Sequence, residues 1–552
     1  MRTKKFAIHF IFLILILTTL FSSCQDGVVG YLGSFESSWK PMGTESTTTE
    51  LPETDVPETE PPNTETPGTE TPGTDSTDCS DHTDANADNL CDGCGISVVV
   101  VVDFYAINDL HGKLDDTDSQ PGVDELTTYL QNAKKSDDHT VLLSSGDMWQ
   151  GSPESNLTKG LIVTEWMNEL DFVSMTLGNH EFDWGEEFIE ENDRLAEFPL
   201  LAINVYDCDT NQRVDYASAS VMVECGSVKI GIIGAIGDCY SSIAPERVED
   251  VYFEVGSELT DLVKAESERL RAAGADFIVY SLHDGFGSSK SNVTIVSGGA
   301  MSSYYNIALS EGYVDLVFEA HTHQRYVMYD RYGVYHLQNG GDNKGISHAE
   351  IAINYVNDSF KVNTAEFVGT SRYIGLEDDP VVDALLEKYA DDIAAMNRVV
   401  GINKSYLSSD ALCDLAAKLY YEAGIERWGE EYEIALGGGF LRARSPYNLP
   451  AGEVTYGDLQ SIFPFDNQLV LCSVKGEYLS SKFFYTDKSD YHIFYGEYGE
   501  SIKNQIDPNA TYYVVVDSYT SSYAPNHLTE VARYNNDIYA RDLIAAYFEK
   551  TT

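Results

Sequence analysis

Five short clusters of Asp, Asn and His recur through the middle of the chain, and each follows an apolar run. Asn108-Asp109-Leu110-His111-Gly112 follows residues 98–107, and Gly146-Asp147 follows residues 140–145. Gly178-Asn179-His180-Glu181-Phe182-Asp183 follows residues 172–177. His283-Asp284-Gly285 follows residues 277–282, and Ala320-His321-Thr322-His323 follows residues 314–319. Carboxylate, amide oxygen and imidazole form the ligand set of a hard-to-borderline divalent cation, and sulfur is absent from these clusters. A phosphate ester is anionic and repels nucleophiles. Two cations about 3.5–4 Å apart can clamp its oxygens and activate a water, provided one carboxylate bridges them.

The apolar runs are short, continuous and rich in β-branched residues, so they read as buried strands. Helical spacing appears between them, as over residues 259–273. In sheets flanked by helices, functional groups collect on loops at the carboxyl ends of strands. Glycine beside a ligand, as in Gly146-Asp147 and Gly178-Asn179, lets the backbone turn sharply off the strand. The expected class is therefore α/β.

At 552 residues the chain is too long for one domain. Its formal net charge of -54 excludes a partner that is a nucleic-acid polymer or an anionic membrane surface. A small phosphate binds such a protein only where metal or Arg inverts the local field. Arg2, Lys4 and Lys5 precede an apolar run over residues 6–20 and then Phe21-Ser22-Ser23-Cys24. That pattern reads as a signal peptide over residues 1–23, with Cys24 as the lipidation site of a surface or envelope lipoprotein. The membrane would then be met through the lipid anchor only. Plain secretion and an uncleaved anchor are the competing readings. Residues 24–78, dense in Thr, Pro and Glu, read as an extended stalk.

Cys79, His82, Cys91 and Cys94 follow, with the donors of a separate structural zinc site. Asp84, Asn86 and Asp88 alternate as in a calcium loop, but Gly95 stands where its last acid belongs. Disulfide pairing is the competing reading for the cysteines of this 79–95 module. Cys208, Cys225, Cys239, Cys413 and Cys472 show no framework spacing and read as buried thiols.

Taken together, Asn-Asp-x-His-Gly, Gly-Asp, Gly-Asn-His-Glu-Phe-Asp and the late His-x-His resemble the calcineurin-like metallophosphoesterases, and Gly-Asn-His-Glu-Phe-Asp is similar to the 5′-nucleotidase family within them. The resemblance is to bacterial members of the lipoprotein type. The family includes UDP-sugar hydrolases and 2′,3′-cyclic nucleotide phosphodiesterases. The resemblance implies a four-layer α-β-β-α sandwich over residues 97–372, a linker helix over 373–398 and a smaller α+β substrate-binding domain over 399–552. It implies that Asp109, His111 and His323 bind one metal, that Asn179, His283 and His321 bind the other, and that Asp147 bridges. Two divalent ions of the Zn, Mn or Co class are the implied cofactors. His180 would stabilise charge on the phosphoryl group, with Asp183 orienting it; a helix N-cap is the competing role for Asp183. Glu181 reads as structural, and His139, His336, His348, His492 and His527 as ordinary satisfied or surface histidines.

In the last third, Ala435-Leu436-Gly437-Gly438-Gly439-Phe440-Leu441-Arg442 resembles the family's Asn-Gly-Gly-Gly-Ile-Arg, and Phe463-Pro464-Phe465-Asp466-Asn467 its Pro-Phe-Gly-Asn. Arg442 would then reach a phosphate and Phe465 one face of a base, with Tyr519 or Tyr523 as the other. The departures are Ala320 for Gly before His-x-His, Gly437 for Asn, and only Lys404 where the family carries arginines. The implied activity is release of phosphate from a small phosphate ester, a nucleotide in the first instance. A cyclic-nucleotide phosphodiesterase or nucleotide-sugar pyrophosphatase is the alternative. A stalked surface binding protein with a vestigial phosphatase body is the second alternative.

Overall fold

Successive side chains of a strand face opposite sides of its sheet, and most strands here are buried on both. The computed structural model describes residues 82–114, 122–285, 313–330, 332–444, 448–480, 491–496, 502, 504–524, 526–534 and 539–551. The leader, Cys24, the stalk and Cys79 lie outside the described residues, as does the side chain of Tyr523.

In chain order the first strands are β1 (Val99–Ile107), β2 (Thr140–Ser144), β3 (Ser174–Thr176), β4 (Leu200–Leu201), β5 (Val205–Asp207), β6 (Ser220–Cys225) and β7 (Val228–Ile236). They continue as β8 (Val251–Phe253), β9 (Phe277–His283), β10 (Leu316–Glu319), β11 (Arg325–Tyr329), β12 (Tyr335–Asn339), β13 (Gly345–Asn354) and β14 (Ser359–Gly369). One sheet has the order β14-β13-β1-β2-β3-β4, a second the order β11-β12-β10-β9-β7-β6, and β5 and β8 form a small ribbon. The central strands run parallel: β1 with β2, β2 with β3, β7 with β9, and β9 with β10. Their carboxyl ends therefore gather at one edge.

The two sheets face each other across Val102, Phe104 and Ala106 of β1, Val141 and Leu143 of β2, Phe277 and Val279 of β9, and Phe318 of β10. The alternate residues point outward. Tyr105, Ile107 and Leu142 pack under the helices Asp124–Ser136 and Leu161–Glu169. Ile278, Tyr280 and Leu282 pack under the helix Ser257–Ala272. The result is the expected four-layer sandwich.

The linker differs from a single helix. It breaks into a helix Pro380–Lys388, a turn of helix Ala390–Ile393 and a 3-10 turn Ala394–Asn397. Asp379 caps the first piece, with Pro380 fixing its start. The buried Val382 and Leu385 pack with the helices of the first sheet, which explains the helical spacing of apolar residues.

The C-terminal strands are β15 (Val399–Asn403), β16 (Ile434–Phe440), β17 (Gly452–Thr455), β18 (Leu469–Lys475), β19 (Tyr491–Phe494), β20 (Thr511–Asp517) and β21 (Leu528–Arg533). Five of them form a sheet of order β19-β16-β20-β18-β21, and β15 pairs with β17. The helix Ser409–Trp428 covers one face through Leu412, Ala416 and Tyr420. Gly437 of β16 lies so close to this helix that a Cβ there would sit 2.4 Å from the backbone N of Tyr421. No side chain fits against this helix, and glycine stands where the family motif carries Asn. Among the described residues no helix is long and apolar enough to cross a membrane.

Candidate active site

All five strand ends arrive at one place. Asp109, His111 and His323 offer ligand atoms within 4.8 Å of one another, and so do Asp109, Asp147 and His283. His111 Nε2 lies 3.1 Å from His323 Nε2, and His323 Nε2 lies 3.3 Å from Asp109 Oδ1. His283 Nε2 lies 3.2 Å from Asn179 Oδ1 and 3.3 Å from Asp147 Oδ2. The His321 ring stands edge-on to His283 at 5.3 Å. Asp147 thus sits in the group that links the two triplets.

The backbone is bent to achieve this. Asp109 (φ 50), His111 (φ 54), Asp147 (φ 55), His321 (φ 65) and His323 (φ 51) all occupy the left-handed region. Such a conformation costs an L-residue about 1–2 kcal/mol and is held only where the surroundings over-determine it. Here Glu181 supplies much of the hold. It is buried, and its carboxylate accepts the backbone N–H of Asp147 (2.9 Å), Met148 (2.9 Å) and Gly178 (2.7 Å). Burial and the nearby Asp147 push its pKa up to about 7. Gly178 serves close approach rather than a turn: a Cβ there would meet Asp147 Oδ1 at 2.3 Å and His283 Cε1 at 2.6 Å. The His-x-His loop rests on Gln338, whose side-chain N–H donates to the carbonyl of Ala320 at 2.7 Å and whose side-chain oxygen accepts the N–H of Gln324 at 2.6 Å. Ala320 lies outside the left-handed region, so its methyl carries no backbone cost.

Tautomers follow from the neighbours. His111 Nδ1 lies 2.8 Å from the carbonyl of Gln150, and His283 Nδ1 lies 2.8 Å from that of Ser145. Each Nδ1–H donates there, which turns Nε2 into the cluster. Burial and neighbouring histidines push His111 and His321 down to about 4, so both are neutral at physiological pH.

His180 is different. Its Nδ1 lies 2.7 Å from Asp183 Oδ2, and its backbone N–H donates to Asp147 Oδ1 at 2.9 Å. Burial opposes its charge, but Asp183 and Asp147 outweigh that and lift its pKa to about 9. Asp183 caps no helix with its side chain; the next helix, Glu186–Leu195, begins at Gly185.

A cavity of about 540 Å³ opens from the cluster toward the C-terminal domain, and Arg247, Phe440, Arg442, Arg444, Phe465 and Tyr519 share its lining. The Phe465 ring stacks on His180 at 5.9 Å and under Arg444 at 5.0 Å. Phe440 and Tyr519 pack 5.8 Å apart.

Residues 102–325 match the family model of the calcineurin-like phosphoesterases, and residues 382–490 match that of the 5′-nucleotidase C-terminal domain. The chain belongs to that two-part phosphoesterase family. Its members are metal-dependent hydrolases of phosphoric esters. The chain is 26% identical to protein UshA of Yersinia enterocolitica over 418 residues, 67% of this chain and 73% of that one. It is 24% identical to an apyrase of Tabanus yao over 417 residues, 68% of this chain and 72% of that one. Its fold is similar to a 5′-nucleotidase precursor from Thermus thermophilus, with a TM-score of 0.60 at 19% identity over 82% of this chain and 97% of that one.

Three features of this phosphoesterase escape the sequence reading. Cys239 brings sulfur to the cluster: its thiol, with His283 and His321, forms a third group of ligand atoms within 4.8 Å, and the thiol donates to the carbonyl of His283 at 3.4 Å. Arg247 and Arg444 supply guanidinium groups at the cavity, whereas Lys404 is exposed and not part of its lining. A signal for Arg444 exists, since Leu441 and Ala443 are buried and the residues alternating with them turn outward. Asp517 also lines the cavity, but its oxygens accept from Thr520 N–H at 2.7 Å and Tyr420 O–H at 3.4 Å. His336 Nδ1 lies 2.8 Å from Glu319 and His348 Nε2 lies 2.7 Å from Asp103, both away from the cluster.

Proposed function

We propose that the chain is an extracellular dinuclear-metal phosphoester hydrolase that releases phosphate from nucleotides. The observation that carries this reading is one cavity with two walls: the Asp/His cluster on one side, and guanidinium groups with aromatic rings on the other.

The residues present fit divalent cations. With their Nδ1–H groups given to carbonyls, His111 and His283 turn Nε2 into the cluster, 3.1 Å from His323 Nε2 and 3.3 Å from Asp147 Oδ2 respectively. Carboxylates, imidazoles and an amide oxygen converging in this way are the donor set of a divalent cation. In this reading Asp109, His111 and His323 would hold one ion and Asn179, His283 and His321 the other, with Asp147 shared between them. Two bound ions of the Zn, Mn or Co class would neutralise phosphoryl oxygens and acidify a water.

The chain's own groups do the rest. His180, kept charged by Asp183, donates toward a phosphoryl oxygen as negative charge grows there. Arg442 and Arg444 pair with phosphate as permanent cations. Phe440 and Tyr519 offer flat apolar faces for a base, while Phe465, engaged by His180 and Arg444, closes the phosphate end. Three arginines exceed the need of one phosphate. This favours, as second reading, a substrate with two phosphates, as in a nucleotide-sugar pyrophosphatase, ahead of a cyclic-nucleotide phosphodiesterase.

The test is a phosphate-release screen over nucleoside mono-, di- and triphosphates, cyclic nucleotides and sugar nucleotides, with and without EDTA. Nucleoside monophosphates are expected to turn over and EDTA to stop them. Release from sugar nucleotides alone would move the assignment to the second reading. No turnover of any substrate after loading with zinc, manganese or cobalt would leave a surface binding protein with a vestigial body.

A further inference from the structure

At the opposite end of β1 lies a second constellation of metal-ligand chemistry. His82, Cys91 and Cys94 offer ligand atoms within 4.8 Å of one another. Cys94 Sγ lies 3.6 Å from His82 Nδ1. Cys91 is buried, and its sulfur accepts hydrogen bonds from the backbone of Thr83, Gly93 and Cys94. Cys91-Asp92-Gly93-Cys94-Gly95 is a tight turn closed by the Gly95 N–H on the carbonyl of Cys91 at 2.7 Å, with Gly95 at φ +70. Amides aimed at a sulfur favour its thiolate form, which is the form that binds metal.

The acids of the same loop are engaged otherwise. Asp84 accepts the N–H of Asp88 (3.0 Å) and of Asn89 (3.2 Å) and the side-chain amide of Asn354 (2.9 Å). Asp92 accepts the N–H of Ala85 at 2.7 Å. Their oxygens shape the loop, and the donors left converging are two sulfurs and an imidazole. That set selects a soft-to-borderline ion of the zinc class over calcium.

The loop is also docked. Cys91 N–H donates to Ile96 O at 2.8 Å, Val98 N–H to Asn89 O at 3.0 Å, and Tyr355 N–H to Val98 O at 3.2 Å. The His82 ring meets Tyr355 edge-on at 6.2 Å. The chain from His82 onward is one compact unit, so this loop is part of the catalytic body. β1 separates it from Asp109 by nine residues, about 30 Å at roughly 3.3 Å each.

We propose that His82, Cys91 and Cys94 hold a zinc ion, and that this ion closes the loop of residues 82–95 on itself in the shape that docks on the back of the phosphoesterase domain. The fourth tetrahedral position is left to a further thiolate or a water. The ion takes no part in phosphate chemistry. It holds the loop in the shape that docks on Asn354 and Tyr355, at the end remote from the cavity.

The test uses the full chain, purified under reducing conditions, beside a Cys91→Ser/Cys94→Ser variant. The variant is expected to hold one zinc equivalent fewer with kcat on p-nitrophenyl phosphate unchanged. Cobalt loading of the unmutated protein should give a near-ultraviolet thiolate charge-transfer band that the variant lacks. Zinc should also protect Cys91 and Cys94 of the unmutated protein from alkylation, read by peptide mass spectrometry. Equal zinc content in the two proteins, identical cobalt spectra, or a Cys91–Cys94 disulfide in the reduced preparation would each overturn the proposal. Because the variant is scored by metal content, these results stand apart from those of the substrate screen.

Discussion

His180 carries a charge that its own burial opposes. Asp183 and Asp147 hold its proton until about pH 9. Folding therefore favours the imidazolium, and the stability it contributes is complete below the unfolded value of about 6.5 and is lost as pH rises through about 9. Activity should follow the same group. With cations bound nearby the imidazolium is repelled, so kcat is expected to fall on the alkaline side with a midpoint at or below about 9. His180→Asn should lower kcat by about 10²–10³, leave the metal content intact and abolish that alkaline limb. Depleted metal in the variant, or an unchanged limb, would contradict the assignment. His180 and Asp183 were legible because three residues on a tight turn bring a ring and a carboxylate together. Cys239 and Arg247 were not, because nothing in their local spacing marks which long-range neighbours the fold supplies.

The strand ends form the next level, where an apolar run followed by an acid or His was signal enough to place five loops together. What the pattern does not carry is how the loops hold one another. Glu181 looked structural in the sequence, and it is, but the structure it serves is the site: one carboxylate fastens the Asp147 loop to the Gly178 loop. Glu181→Gln exchanges an acceptor for a donor facing backbone N–H groups. Metal affinity is expected to drop about 10–100-fold, measured in metal-buffered titrations; unchanged affinity would show that the loops keep their shape unaided. Gly178→Ala presses a methyl against Asp147 and His283. Overpacking there should cost about 1–3 kcal/mol, seen as a lower Tm, and should release metal. The broken linker was illegible for a related reason. Val382, Leu385 and Ile393 keep helical spacing across the break because each still finds a buried site, so periodicity continues where the helix does not.

At the scale of the whole molecule, the two-domain order was readable from motif order alone, but the contacts that close one domain on the other were not. One of them is made by Lys159, which no motif contains. Its Nζ lies 3.0 Å from Asp466 Oδ2 and 5.0 Å from the centroid of the Trp184 ring. Asp466 is also held by Arg541 within its own domain, and it follows Phe465, the ring that rests on His180. Lys159 thus ties the phosphoesterase domain to the segment that shapes the far wall of the cavity. Lys159→Met should remove this tie while leaving the Asp466–Arg541 pair in place. A partly exposed ion pair with a cation–π contact is worth about 1 kcal/mol. If closure supplies the nucleotide wall, that loss lowers the closed fraction and raises KM for a nucleotide about fivefold. p-Nitrophenyl phosphate, too small to span the cavity, needs the metal cluster but not the far wall, so its KM should hardly move. Equal changes in KM for both substrates would mean that Lys159 stabilises the phosphoesterase domain itself and does not govern closure.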